Sequence, residues 1–189
     1  SSRFENLATG RYELAGDGGL AIGGGGGGWP SFINAGLLLK SSGTNTSTVA
    51  VPLFNQGGTI RVDIGRLTLA AGGTSSNGDF QVAGGALLDI TGGSAVTWQG
   101  VFTGLGSGTV LLGGGLNAGE GGVTLDFPGS LFQWTGGQIN GPVYNTNSVT
   151  ISGGGTVSVS GVLHNAGLMR QTGISTLAIN WSSAFENQA

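Results

Sequence analysis

The 189-residue chain contains no cysteine, a single histidine (His164) and a single lysine, and only 8% of its residues are charged. Without cysteine there is no thiolate ligand, and one histidine is too few for a zinc site. The six basic residues stand singly along the chain, whereas a nucleic-acid-binding protein concentrates lysine and arginine on one surface. We therefore expect no metal, no cofactor and no nucleic-acid partner.

Acidic residues are equally sparse, with nine aspartates and glutamates dispersed along the sequence. Asp63 and Asp89 are the pair whose spacing, 26 residues, would stack them on neighbouring coils of a repeat. Enzymes that cleave polysaccharides need carboxylates brought together, and acidic substrates also need a basic partner. No basic column accompanies this pair, so we expect the chain not to be an enzyme.

The 189 residues show no apolar run long enough to span a bilayer, no secretion signal and no lipidation motif. Only four prolines occur, and the 42 glycines have no period of three, which excludes a collagen triple helix. A cysteine-free composition rich in Gly, Ser, Thr and Asn is typical of bacterial secreted surfaces. We expect a secreted or cell-surface protein without membrane insertion.

Short segments of strictly alternating apolar and polar residues recur throughout, bounded by Gly, Asn and Ser. They cover residues 59–63, 66–69, 86–90, 148–151 and 156–159. This alternation is typical of half-buried strands, and no segment keeps helical spacing over three turns. The sequence predicts an all-β fold.

A five-residue phrase also recurs: an apolar residue, any residue, Asn, a small or amide residue, and often Gly. Successive Asn positions lie 28, 21, 20 and 22 residues apart, with one interval of 90 that is close to four periods. A fixed period in this range indicates a solenoid. We predict one parallel β-helix over residues 1–189, with eight to nine coils of about 22 residues and three short strands each. A right-handed coil is our first choice, and a left-handed hexapeptide coil is the second.

In such a stack, equivalent residues line up in columns along the rod. Asn tolerates corner conformations, and stacked amides can form a hydrogen-bonded ladder, so we assign the Asn residues a structural role. The predicted Asn column is Asn6, Asn34, Asn55, Asn145, Asn165 and Asn187. The predicted apolar column is Phe4, Phe32, Leu53, Phe80, Phe102, Val143, Leu163 and Phe185.

Residues 23–30 interrupt the period with six glycines followed by Trp29 and Pro30. Consecutive glycines supply no side chain to a packed strand, so we predict a glycine-rich loop insert at a corner. We expect the four tryptophans to occupy core or corner positions, with Trp29 the best candidate for exposure.

The two ends of the sequence resemble each other. Residues 182–189 repeat residues 1–8 with six identities in eight, at an offset of 181. Neither end looks like a capping coil, which would be polar or irregular. The predicted end-to-end junction therefore involves Phe4, Asn6, Phe185 and Asn187. The chain is either a segment of a longer array or a unit that stacks head to tail.

Residues 32–44 read F-I-N-A-G-L-L-L-K-S-S-G-T, residues 55–62 read N-Q-G-G-T-I-R-V, and residues 66–73 read R-L-T-L-A-A-G-G. These resemble the F-N-N-A-G-T-L-x-K-S-G-G-T, N-x-G-T-V-x-V and G-T-L-x-L-x-G-G phrases of very large bacterial secreted proteins. The resemblance is strongest over residues 31–92. It implies a surface-associated β-solenoid similar to autotransporter passengers and filamentous adhesins.

Composition and resemblance together favour a non-enzymatic extracellular structural protein. We expect a solenoid unit of a surface fibre, stalk or filament, whose partner is another copy or an adjacent repeat. The alternative is an adhesin or glycan-binding module that displays a lateral face or the glycine-rich loop.

Overall fold

A computed structural model describes residues 2–23, 29–92 and 94–188, and within these ranges no residue is helical. The chain winds into a β-solenoid of about eight turns, each of roughly 22 residues and three strands, and the strands pair in parallel from one turn to the next. The predicted all-β parallel β-helix is confirmed. The handedness of the coil stays a prediction.

We name the three sides of the solenoid faces A, B and C, in the order in which the chain visits them. Face A contains β1 (Arg3–Asn6), β3 (Ser31–Asn34), β6 (Leu53–Asn55), β15 (Gln138–Asn140), β18 (Thr156–Ser160) and β21 (Thr176–Ile179). Face B contains β2 (Arg11–Ala15), β4 (Leu37–Ser42), β7 (Thr59–Val62), β16 (Val143–Asn145), β19 (Val162–Asn165) and β22 (Ala184–Asn187). Face C contains β5 (Thr46–Val49), β8 (Arg66–Leu69), β10 (Leu87–Asp89), β12 (Thr109–Leu112), β14 (Phe132–Trp134), β17 (Ser148–Ile151) and β20 (Leu168–Gln171).

In the middle coils one long strand runs across both face A and face B. These strands are β9 (Gly73–Val82), β11 (Val96–Leu105) and β13 (Leu116–Asp126). The first half of β11 pairs with the first half of β9, and the register then shifts between Gln99 and Phe102 before the second halves pair. A register shift of this kind bends the strand, so the chain turns the corner without leaving the ladder.

The core is filled by the inward side chains of all three faces, because successive residues of a strand point to opposite sides. The largest fully buried side chains include Trp134, Phe32, Phe80, Phe102 and Phe127. Trp98 and Phe102 stack with ring centroids 4.0 Å apart and an angle of 14° between the rings. Each coil is too thin to bury these groups alone, so the core exists only as a stack.

Glycine is required where the first three coils, here called the upper coils, turn from face A to face B. Gly57, two residues after the end of β6, has a φ of 72°, a left-handed conformation that side chains disfavour. A Cβ placed on the next residue, Gly58, would lie 2.8 Å from the carbonyl oxygens of Asn34 and Gly36. The recurring glycine after Asn therefore lets the backbones of successive coils approach at this corner.

Candidate functional site

Three asparagines of the upper coils form a hydrogen-bonded ladder at the end of face A. Asn6 Nδ2 donates to Asn34 Oδ1 at 2.8 Å, and Asn34 Nδ2 donates to Asn55 Oδ1 at 2.7 Å. Asn34 and Asn55 are almost completely buried. This upper ladder joins β1, β3 and β6, whose register places the three residues directly above one another.

Three asparagines of the last coils, here called the lower coils, form a second ladder at the end of face B. Asn145 Nδ2 donates to Asn165 Oδ1 at 2.6 Å, and Asn165 Nδ2 donates to Asn187 Oδ1 at 2.6 Å. The strands involved are β16, β19 and β22. This lower ladder precedes the turn onto face C, whereas the upper ladder precedes the turn onto face B.

The prediction of a single Asn column is therefore wrong. The interval of 90 residues between Asn55 and Asn145 spans several coils and also one change of face. In the two coils that precede Asn145, the residues paired at its position are Leu125 and then Phe102. Asn145 is the first member of the lower ladder, so its Oδ1 has no amide donor from the preceding coil, and it is a buried oxygen without a partner in the described part of the chain.

The predicted apolar column also divides into several columns. Phe4, Phe32 and Leu53 stack on face A, and Val143, Leu163 and Phe185 stack on face B. The two remaining phenylalanines pair elsewhere on face B: Phe80 pairs with Ile60, and Phe102 pairs with Leu125. All eight side chains face the core, but they do not form the one column that their spacing predicted.

The ladders have a direction. Two of the donor amides also donate to a backbone carbonyl of the following coil: Asn6 Nδ2 lies 3.0 Å from Leu37 O, and Asn145 Nδ2 lies 3.0 Å from Leu168 O. A carbonyl oxygen can only accept, so these contacts fix the NH₂ groups on the side of the following coil. The first coil therefore holds the acceptor end of the upper ladder, Asn6 Oδ1, on a side chain that is only 6% exposed. The last coil holds the donor end of the lower ladder, Asn187 Nδ2, on an exposed side chain.

The first and last strands each have one open edge. Within the described ranges β1 pairs with β3 alone, and β22 pairs with β19 alone. Phe4 is 41% exposed and Phe185 is 37% exposed, although their equivalents one coil inward are buried. The four predicted junction residues do lie at these edges, but β1 belongs to face A and β22 to face B. Direct stacking of two copies, face on face, would not bring Phe185 onto Phe4.

Lys40, which the sequence analysis did not single out, is completely buried at the end of face B. Its ammonium group lies 2.9 Å from Gly16 O, 3.0 Å from Ser42 O, and 3.1 Å from both Ser47 Oγ and Asp17 Oδ1. Leu38 and Lys40 occupy the same side of β4, and Lys40 pairs with Val62 in the next coil. That period-two position in an apolar column was the signal that could have revealed it.

Asp17 anchors the first coil to the second through this lysine. The hydrogen bond from Lys40, followed by the hydrogen bond from the Asn45 side chain, lowers the pKa of Asp17 below its ordinary value of 3.8. Asn45 donates from Nδ2 to Asp17 Oδ2 at 2.9 Å and from its backbone N–H to Oδ1 at 3.1 Å. Three donors to one carboxylate favour its charged form, and the cluster fixes the backbone at Gly16.

His164 lies on the outer side of β19. Its ring stacks on that of Tyr144 with centroids 4.7 Å apart and 4° between the planes, and its Nδ1 lies 2.8 Å from Glu186 Oε2. Because the two residues occupy neighbouring coils, the stacked rings present their edges to solvent. His164 therefore occupies an ordinary outward strand position, and each of its contacts is to the equivalent residue of a neighbouring coil.

A shallow depression of about 330 Å³ lies on face B of the middle coils. Arg61, Asp63 and Gln81 form its polar side, and Leu105, which is 63% exposed, forms part of its apolar side. Arg61 Nε donates to Asp63 Oδ1 at 2.7 Å. The depression thus offers both hydrogen-bonding groups and an apolar contact.

The acidic and aromatic residues fall in different places from those expected. Asp63 follows β7 on face B whereas Asp89 lies on β10 of face C, so the expected stack of these two carboxylates is wrong. Trp98 and Trp134 are core residues, and Trp29 is 80% exposed, as predicted. Trp181 is fully exposed, contrary to the expectation of a core or corner position. Most of the predicted glycine-rich loop, residues 24–28, lies outside the described residues.

Two observations concern metals and membranes. Among the residues that the structure describes, no group of three or more His, Asp or Glu side chains comes close enough together to hold a metal ion. The same part of the chain contains no helix that could cross a bilayer.

Comparisons with protein-family models, curated proteins and solved structures find no match to this chain.

Proposed function

We propose that the protein is a non-enzymatic structural element, a β-solenoid unit that extends end to end with further solenoid of its own kind in a fibre, stalk or filament. The observation that carries the proposal is the polarity of the two ends. The upper ladder begins at the acceptor Asn6 Oδ1, on a side chain that is 6% exposed, and the lower ladder ends at Asn187, whose side chain is exposed. In the described residues each lies on a strand that pairs on one side alone and carries an exposed phenylalanine. Open edges of this kind are sites of strand addition.

The location we propose is the bacterial cell surface or the extracellular medium. Its support is the low charge, the absence of cysteine and the resemblance of residues 31–92 to the repeats of large secreted surface proteins. Parallel ladders continued from unit to unit would give a rod whose exposed side chains include many Ser, Thr, Asn and Gln. Such a rod supplies length and stiffness without catalysis.

Electron microscopy of the purified chain, together with its mass by light scattering, tests this function. Eight coils at the spacing of neighbouring strands give a unit about 40 Å long, so filaments should show an axial repeat near that value. Monodisperse short rods at all concentrations would contradict end-to-end assembly of this chain.

A matched pair of variants separates end contacts from lateral ones. Phe4→Asp places a charge at the open edge of β1 and should abolish filaments while leaving the β-sheet circular dichroism of the unit intact. Thr74→Asp, on the exposed outer side of β9 in the middle of the rod, should leave filaments unchanged. Loss of filaments in both variants would indicate lateral rather than end-to-end association.

A second candidate function is binding of glycans, favoured by the depression around Arg61, Asp63 and Leu105. Charged and amide groups that hydrogen-bond hydroxyls, next to an apolar contact, match the mixed polarity of a sugar. Titration with neutral and acidic oligosaccharides, followed by NMR, would show saturable shifts that Arg61→Ala removes. Adhesion of this kind should survive in the Phe4→Asp variant, whereas fibre formation should not.

A further inference from the structure

We infer that the depression on face B binds a neutral sugar through two adjacent hydroxyl groups and disfavours acidic sugars. This inference rests on glycan binding, the second candidate function above, and adds the class of sugar and the contacts that select it. The depression lies within residues 61–106, on the middle coils of the rod. It is therefore separate from the strand edges on which end-to-end assembly depends.

Arg61 and Asp63 place hydrogen-bond donors and acceptors side by side. Arg61 Nε donates to Asp63 Oδ1 at 2.7 Å, and the two side chains are 48% and 33% exposed. Within the described residues, neither the terminal Nη groups of Arg61 nor Oδ2 of Asp63 has a further hydrogen-bond partner. A hydroxyl group both donates and accepts hydrogen bonds. Two hydroxyls on neighbouring ring carbons can therefore donate to the carboxylate and accept from the guanidinium group at the same time.

Gln81 supplies a third polar contact, between the two sides of the depression. It pairs with Arg61 of the preceding coil and with Leu105 of the following coil. Its Nε2 donates to Asp79 Oδ2 at 2.6 Å, which holds the amide group in one orientation. Oε1 of the same amide is an acceptor without a partner in the described part of the chain, so it can receive a hydrogen bond from a sugar hydroxyl.

The rest of the lining is apolar or lacks a side chain. Leu105 is 63% exposed, and the C–H groups of a sugar ring that packs on it would remove apolar surface from water. Gly106 keeps the neighbouring floor open, because a Cβ there would lie 2.0 Å from Val82 O. The volume of about 330 Å³ is near the lower end of the range for ligand sites, roughly 300–1,000 Å³, and suits one or two sugar rings.

The charges around the depression select against an anion. Arg61 is the one basic residue of the lining, and Asp63 already neutralises it. Asp79, held against Gln81, adds a second carboxylate. A sugar carboxylate placed here would approach two negative groups, and juxtaposed like charges reduce affinity and exclude wrong ligands. A neutral sugar avoids this repulsion and uses the same hydroxyl contacts.

Two sugars that differ in one group test the selectivity on the unmodified chain. Methyl β-glucoside and methyl β-glucuronoside share the ring and its adjacent hydroxyls, and the second replaces the terminal hydroxymethyl group by a carboxylate. NMR titration should show saturable shifts at Arg61, Gln81 and Leu105 with the glucoside, and affinity about tenfold lower for the glucuronoside. Equal or tighter binding of the glucuronoside would overturn the inference and leave glycan binding standing. If neither sugar shifts these residues, glycan binding at this site is refuted, and the inference with it.

A matched pair of variants tests the assigned contacts. Asp63→Asn removes the negative charge and one acceptor while keeping the shape of the side chain. It should lower the affinity for the glucoside about tenfold and reduce the difference between the two sugars. Asp126→Asn makes the same change on face B outside the depression, where Asp126 accepts a hydrogen bond from Asn147, and it should leave both affinities unchanged. Glucoside binding that is insensitive to Asp63→Asn would overturn the assignment.

Discussion

Replacement of Asn34 by alanine tests whether the upper ladder holds successive coils together. Asn34 accepts a hydrogen bond from Asn6 at 2.8 Å and donates one to Asn55 at 2.7 Å, and it is completely buried. Each bond contributes about 1 kcal/mol net, and leaving Asn55 Oδ1 buried without a donor costs about 1–2 kcal/mol more. We therefore expect Asn34→Ala to lower the free energy of unfolding by about 3 kcal/mol.

Urea and thermal unfolding, followed by circular dichroism on dilute monomeric protein, measure this loss. For a chain of this size the melting temperature should fall by about 6–12 °C. Asn147→Ala is the matched control, because Asn147 is exposed and its side chain makes one hydrogen bond, from Nδ2 to Asp126 Oδ1 at 3.1 Å. The control should change stability by less than about 0.5 kcal/mol. If the two variants were equally stable, the ladder would contribute nothing and the reasoning would fail.

Three further perturbations test the core, the corner and the first coil. Because the pKa of Asp17 is lowered in the folded chain, its contribution is present above the ordinary value of 3.8 and is lost as pH falls through the lower folded value. The melting temperature of Asp17→Asn should therefore fall less between about pH 5 and pH 2 than that of the unmodified chain, as scanning calorimetry would show. Phe102→Ala removes a fully buried ring and should lower the free energy of unfolding by about 3–5 kcal/mol, and a urea midpoint near that of the unmodified chain would contradict the packing. Gly58→Val forces a side chain against two carbonyl oxygens at 2.8 Å and should reduce the yield of folded protein, whereas tolerance of valine would disprove the close approach of the coils.

The sequence predicted the architecture because both of its signals are local. Alternation over four or five residues indicates strands, and the recurrence of Asn and Gly marks the turns between them. The phrase ending in Asn and Gly describes how a corner is built, however, and not which of the three corners it builds. Asn55 and Asn145 occupy the same phrase at different corners. Assigning the corner requires the pairing of the middle coils, where Phe102 and Leu125 replace the asparagines.

Lys40 was missed for a related reason. A lone lysine suggests a solvated side chain, since lysine is rarely buried. What makes burial possible is the approach of Gly16, Asp17 and Ser47, which belong to the preceding coil and to the neighbouring face. Those contacts depend on the register between coils, which no single stretch of sequence contains. The alternation with Leu38 indicated that the Lys40 side chain points inward. It did not indicate the oxygen atoms that accept hydrogen bonds from the ammonium group.

The one-dimensional arrangement of the coils determines how the rod would respond to tension. Strands pair only with those of adjacent coils, and the hydrogen bonds between coils run along the axis, so a pull on the chain ends would peel coils one after another. Every coil that detaches would shorten the rod by about 5 Å and release about 75 Å of extended chain. Force spectroscopy would then record a low, regular series of steps, and a fibre built from such units would lengthen many-fold under load before its covalent backbone became taut.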